Sequence, residues 1–133
     1  MPMHCVIWTY RLLPDMTKER ADQLFIAVAE RYFRVPGLMR KYFGFAEDGR
    51  SVVGVYLWRS RAEADAFFSP DWLAGVTTRW GAAPERADWT IPQYVDAETM
   101  DVVRAPLPVG LRSVGPEDED RRVKPGEFGA NDD

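Results

Sequence analysis

Residues Pro36 to Arg59 read PGLMRKYFGFAEDGRSVVGVYLWR, two runs of β-branched and aromatic residues set around Asp48-Gly49. Glycine tolerates the positive φ of tight hairpin turns, so the stretch is expected to form two antiparallel strands. Two turn geometries are open, and they differ by one residue in register, which flips one strand's side chains relative to the other. A two-residue turn sets Phe45 opposite Val52 and Lys41 beside Tyr56. A three-residue loop with Gly49 as a left-handed bulge residue instead pairs Ala46 with Arg50. The second segregates the faces better and is the expected register. It gathers Met39, Phe43, Phe45, Val53, Val55 and Leu57 on one side and Arg40, Tyr42, Gly44, Gly54, Tyr56 and Trp58 on the other.

Working outward, HCVIWTYRL over residues 4–12 suits a first strand that stops at Pro14. From Thr17 to Arg34 the residues Ala21, Leu24, Phe25, Val28 and Tyr32 recur at spacings of three and four, the apolar face of a helix that Val35-Pro36-Gly37 ends. Beyond the hairpin, Ser60 and Glu63 form a capping-box pattern that opens a short helix bearing Ala64, Phe67 and Phe68. Ser69-Pro70-Asp71 is a fresh helix start carrying Trp72, Leu73, Val76 and Trp80 before Gly81, so this second helix is expected to be broken or kinked. RADWTIPQYV, residues 86–95, reads as a last strand in which Pro92 demands an edge or bulged position. The order β-α-β-β-α-β is the ferredoxin-like α+β arrangement, a four-stranded antiparallel sheet with both helices on one face.

That domain is expected to occupy residues 1–96, and residues 97–133, dominated by proline, glycine and charge, a tail without persistent helical or strand period. An apolar island from Val102 to Val114 is expected to dock on this protomer or a neighbour. The acidic PEDED run at 116–120 reads as a solvated segment.

A chain of 133 residues, 46% apolar, suffices for one core. Its net charge of -4 falls after residue 96 and no basic patch stands out, which argues against nucleic acid as a partner. Cys5 has no cysteine to pair with, Arg11 interrupts the first apolar segment, and no stretch approaches the roughly 20 apolar residues of a membrane span. A soluble cytoplasmic protein is expected. Both faces of the sheet are too apolar to be wet while two helices cover only one, which implies an isologous homodimer packed sheet to sheet.

The segments VPGLMRKYF, GVYLW and SRAEADAFF resemble the YdhR-like monooxygenases, a group of the dimeric α+β barrel superfamily that also holds the antibiotic-biosynthesis monooxygenases. The resemblance spans about residues 4–95 and leaves out the tail. It implies a homodimer whose two sheets form a barrel, a cavity between helices and sheet in each protomer, and, in some relatives, cofactor-independent oxygenation of aromatic or polyketide-like compounds. In such chemistry the substrate's phenolate or enolate reduces dioxygen, while the protein supplies a dry pocket and stabilises the anion.

In the expected register Arg40 and Tyr42 share a face with Tyr56 and Trp58, where a guanidinium would hold a substrate anion and a tyrosine would move a proton. These three, Arg40, Tyr42 and Tyr56, are the candidate catalytic residues. Trp8, Trp58, Phe67, Trp72 and Trp80 are candidate walls for a planar ligand, with Trp72 and Trp80 on a broken helix suited to act as a lid. The plainer reading makes the aromatics core and Arg40 an interface ion pair. His4 and Cys5, adjacent on a strand, point to opposite faces and cannot act as a dyad. No glycine-rich phosphate loop, dinucleotide fingerprint or nucleophile elbow occurs, and the histidine and cysteine count does not support zinc, so no cofactor or metal is expected. Two rivals remain: a non-redox cyclase, isomerase or lyase on the same scaffold, and a non-catalytic binding or assembly protein with a filled cavity.

Overall fold

Turn and cap residues decide where the elements begin. In the computed structural model, which describes residues 2–113, the chain forms β1 (Met3–Arg11), α1 (Lys18–Val28), β2 (Leu38–Phe45), β3 (Ser51–Trp58), α2 (Arg61–Phe67), α3 (Pro70–Trp80), β4 (Glu85–Ile91), β5 (Gln93–Asp96) and β6 (Asp101–Arg104). Thr17 caps α1 by accepting the Arg20 amide at 3.0 Å. Ser60 caps α2 from the Glu63 amide at 3.2 Å, and Ser69 caps α3 from the Trp72 amide at 3.1 Å. Each hydroxyl satisfies a backbone donor that the first turn leaves unpaired. The break expected in the second helix is therefore real. Helix α1 is shorter than its periodicity suggests, passing into a 3-10 turn over Ala29–Tyr32 whose tighter winding carries Tyr32 inward over the sheet.

Strands β2-β3-β1-β4 form one antiparallel sheet in that order, the ferredoxin-like arrangement. Its helix side supplies most of the core: Val6, Trp8 and Tyr10 from β1, and Val52, Tyr56 and Trp58 from β3, packed on Ala21, Ala64, Phe68, Val76 and Trp80. Trp8 meets Phe68 edge-on at 5.4 Å, and Tyr56 stacks on Trp58 at 6.2 Å, pairings that suit the quadrupoles of the rings. The indole N–H groups of Trp8 and Trp58 are buried without a hydrogen-bond partner among the described residues.

The hairpin register differs from the one expected. Phe45 pairs with Val52 and Lys41 with Tyr56, while Arg40 and Tyr42 oppose Leu57 and Val55. Gly49 does adopt the left-handed conformation at φ 71°, but in a longer loop closed by the Ala46 amide on the Ser51 carbonyl at 2.9 Å. Arg50 is the reason. Its amide goes to the Asp48 carboxylate at 2.8 Å and its carbonyl accepts the Leu12 amide at 2.8 Å, so it is not free to pair with Ala46. Packing favours the same register, since it brings Phe43 and Phe45 against Phe25 of α1 at 5.0 and 5.2 Å. A bulge lies instead at the other end, between Leu38 and Arg40.

Pro92 splits the expected last strand. Up to Ile91 the chain pairs with β1, and from Gln93 it pairs with β6 in a separate two-stranded ribbon. Residues 101–104, expected to be irregular, thus form a strand. Its turn is set by Asp96, whose carboxylate accepts the amides of Glu98 and Thr99 at 3.1 and 3.2 Å. The apolar island is described as far as Ser113, with Val102, Val109 and Leu111 exposed; Val114 and the acidic run at 116–120 lie outside the described residues. No helix among the described residues is long and apolar enough to cross a membrane. On the sheet face away from the helices, Ile7, Val53, Val55 and Leu57 are only half-buried, and Tyr42 and Trp89 are exposed.

Candidate functional site

The shifted register carries a cation beneath the helices. Lys41 projects from β2 to the helix side, its Nζ 3.4 Å from the centroid of Phe43, 4.5 Å from that of Tyr56 and 4.8 Å from that of Tyr32. Gly54 makes the room: a Cβ there would lie 3.2 Å from Nζ and 3.1 Å from the Tyr56 ring. Ring faces attract an ammonium, but no carboxylate is ion-paired with Lys41 among the described residues. Burial therefore pushes its pKa down from 10.5 to about 7.

Two hydroxyls stand beside the amine. Tyr32 and Tyr56 are 3.4 Å apart through their hydroxyl oxygens. Burial first, then the neighbouring Tyr32, holds the Tyr56 hydroxyl far above the ordinary phenol range, and Tyr10 is raised by the same two causes against an opposing pull from Arg79. Both keep their protons at neutral pH. An amine that can be neutral beside a Tyr56 phenol that keeps its proton suits taking a proton from a ligand O–H and holding the resulting anion.

These groups line a small, partly open chamber of about 30 Å³, walled also by Phe25, Val28, Val76, Arg79 and Trp80, with room for a water molecule or two. Tyr32 is shared by two larger clefts. One, of about 320 Å³, runs between the helices past Arg31, Phe67, Asp71 and Trp72. The other, of about 340 Å³, opens at the free edge of β2 past Phe33, Met39 and Arg40. Tyr32 thus stands on the wall of all three.

A second polar cluster lies across the sheet. His4 Nε2 sits 2.6 Å from Asp88 Oδ2, Arg86 clasps the same carboxylate at 2.8 and 3.0 Å, and Arg86 also reaches Asp65 at 2.7 Å. Burial alone would raise Asp88, but the hydrogen bonds from Arg86 and His4 outweigh it and hold the carboxyl below its usual range. With its partners satisfied and Arg86 lying over Trp8 and Phe68, this network reads as a structural clamp on β4.

Of the side chains singled out in the sequence, the structure brings Tyr56 and Trp80 to the chamber and Phe67 and Trp72 to the helical cleft. Trp8 and Trp58 are core, 5% and 0% exposed. Arg40 and Tyr42 lie on the opposite sheet face from Tyr56, so the four-residue cluster with Trp58 does not assemble within one chain. The residues that sequence reasoning missed are Lys41, Tyr32 and Arg79. Lys41 was visible as the one charged member of the Lys41, Phe43, Phe45 alternation, a cation on a strand face otherwise apolar.

No protein-family model matches the chain, and no curated protein matches its sequence. Solved structures share its fold. A monooxygenase from the gene ActVA-Orf6 of Streptomyces coelicolor, in complex with the ligand Nanaomycin D, aligns at 20% identity and a TM-score of 0.53, covering 67% of this chain and 86% of that one. A candidate antibiotic biosynthesis monooxygenase from Nitrosomonas europaea aligns at 18% identity and 0.54, covering 66% and 88%. A hydroxynitrile lyase from Passiflora edulis aligns at 17% identity and 0.52, covering 68% and 94%. One fold thus serves both kinds of enzyme.

An unpaired buried amine costs stability. Between about pH 7 and 10.5 the unfolded chain holds the Lys41 proton and the folded chain does not, so stability rises with pH across that window. The cost is fully present below it. Lys41→Met is expected to raise the unfolding free energy by about 2–4 kcal/mol at pH 7, with the gain shrinking toward pH 10. Denaturant titration of both proteins at the two pH values checks this, and a destabilised variant at pH 7 would contradict it.

Proposed function

We propose that the protein is a cofactor-independent monooxygenase of the YdhR-like kind, oxidising a small aromatic or polyketide-like compound through its anion, and that it acts as a homodimer. The observation that carries the reading is Lys41, an amine without a carboxylate partner among the described residues, set against Tyr32, Tyr56 and Phe43 on the wall of an apolar chamber. Support for the reaction class comes from the monooxygenases that share the fold.

The neutral amine takes the proton of a phenol or enol O–H, and the ammonium it becomes holds the oxyanion. Tyr56, still protonated, donates to the same oxygen. The electron-rich anion reduces dioxygen and forms a C–O bond. For a phenol, one oxygen atom stays as the second quinone carbonyl and the other leaves as water, all four electrons coming from the substrate. The aromatic walls keep the anion and any radical away from bulk water. A ring does not fit the chamber as it stands, so access depends on Tyr32 turning toward one of the clefts.

The same base would serve a lyase or isomerase without oxygen, and the hydroxynitrile lyase on this fold gives that rival its place. A non-catalytic assembly role is favoured by the size of the chamber, about 30 Å³. Oxygen uptake with a panel of naphthols and hydroquinones separates the three. Turnover is expected to rise with pH through about 7, as Lys41 loses its proton, and to fall about 10²-fold in Lys41→Met. Oxygen uptake unaffected by that substitution would remove the proposed base, and none with any substrate would favour the rivals.

The dimer reading rests on the half-buried Ile7, Val53, Val55 and Leu57 with the exposed Tyr42 and Trp89 on the sheet face away from the helices. Sedimentation equilibrium at micromolar concentration is expected to give twice the chain mass, whereas a stable monomer would contradict it.

A further inference from the structure

Lys41 and Arg79 are two cationic side chains on the wall of one chamber, and no carboxylate lines it. Among the described residues neither takes part in an ion pair. Lys41 is half-buried and Arg79 exposed at the chamber's rim, so the chamber presents positive charge with no carboxylate on its wall and favours a ligand that brings negative charge with it. An amine seated over the Tyr32, Phe43 and Tyr56 rings, with no carboxylate paired to it among the described residues, can lose its proton and act as a nucleophile toward a carbonyl carbon, the condition met by imine-forming lysines. We infer that Lys41 condenses with a small oxo acid, its Nζ taking the carbonyl carbon while Arg79 holds the carboxylate.

The Nζ lone pair forms the new C–N bond and the carbonyl π pair moves onto oxygen, which takes a proton from the Tyr56 and Tyr32 hydroxyl pair. The nitrogen gives up a proton, and the former carbonyl oxygen then leaves as water as the C=N bond forms. No oxidant or reductant is consumed. The groups facing Lys41 are Tyr10 from β1, Tyr56 from β3, Tyr32 from the 3-10 turn and Arg79 from α3; none is an acid that would pin the ammonium. The chamber of about 30 Å³ is smaller than the tetrahedral adduct, so forming it depends on Tyr32 turning toward the clefts on either side, which provide the approach.

The inference shares the amine with the function proposed above but not the use of dioxygen, so it is tested without air. The full chain is incubated with pyruvate and sodium cyanoborohydride, which traps an imine as a stable carboxyethyl amine, and the site is mapped by peptide mass. The chain has three lysines, Lys18, Lys41 and Lys124, which makes assignment simple. At pH 7.5 Lys41 is expected to be labelled at least about tenfold faster than exposed Lys18. Pyruvate is expected to outpace acetone, which lacks the carboxylate, and Arg79→Gln to lower the ratio of the pyruvate rate to the acetone rate about tenfold. Equal labelling of Lys18 and Lys41 would overturn the imine, and acetone matching pyruvate in the unaltered protein would overturn the oxo-acid assignment even if the variant failed to fold. A protein that consumed no oxygen could still pass, and one that trapped no pyruvate could still be an oxygenase.

Discussion

The seating of Lys41 under the helices constrains everything else at this site. A lysine on the inner face of an edge strand has two ordinary options: to snorkel its ammonium to water or to find a carboxylate. Here the rings of Tyr32, Phe43 and Tyr56 surround the head group at 3.4–4.8 Å. The rings attract the charged form, yet the loss of water opposes it more strongly, and the amine is left near the middle of its titration at neutral pH. That balance is what gives an otherwise apolar cavity its chemistry.

The balance depends on backbone register. Had the hairpin turned one residue earlier, Lys41 would point to the far face with the half-buried Val53, Val55 and Leu57, and Arg40 and Tyr42 would stand where the amine now stands. The loop at Asp48-Gly49 and the capture of Arg50 by Asp48 and Leu12 thus act at a distance on the site. Gly54 completes the arrangement, because a side chain there would crowd both Nζ and the Tyr56 ring and oblige them to shift. The aromatic core around Trp8, Trp58 and Phe68 holds the strands in this relation, and the network of His4, Asp88, Arg86 and Asp65 ties the far strand to α2.

Most of the architecture was legible in the sequence because it is written in local chemistry. Ser60 and Ser69 announce helix starts through their hydroxyls, Gly49 announces a left-handed residue, and the alternation of β1 and β3 sorts core from surface. The site was less legible because it depends on a choice between two registers that local signals leave close. Apolar segregation favoured the wrong one, since it gathered Phe43 and Phe45 with Val53, Val55 and Leu57 despite the lysine between Met39 and Phe43, whereas the fold turns that same row, lysine included, to the helices to gain the packing of Phe43 and Phe45 on Phe25. The split at Pro92 and the ribbon of β5 and β6 were missed for another reason: a proline marks where a ladder fails but not which partner the chain meets next.

The central claim is that the Lys41 amine titrates near neutrality in the folded protein. Carbon-13 labelling of the lysine side chains, with the ε-methylene resonance of Lys41 assigned by its loss in Lys41→Met, reads this directly by NMR across pH 5 to 11. A midpoint near 7 is the predicted result. A midpoint near 10.5 would mean that the head group reaches water, and would contradict the base, the anion site and the imine together.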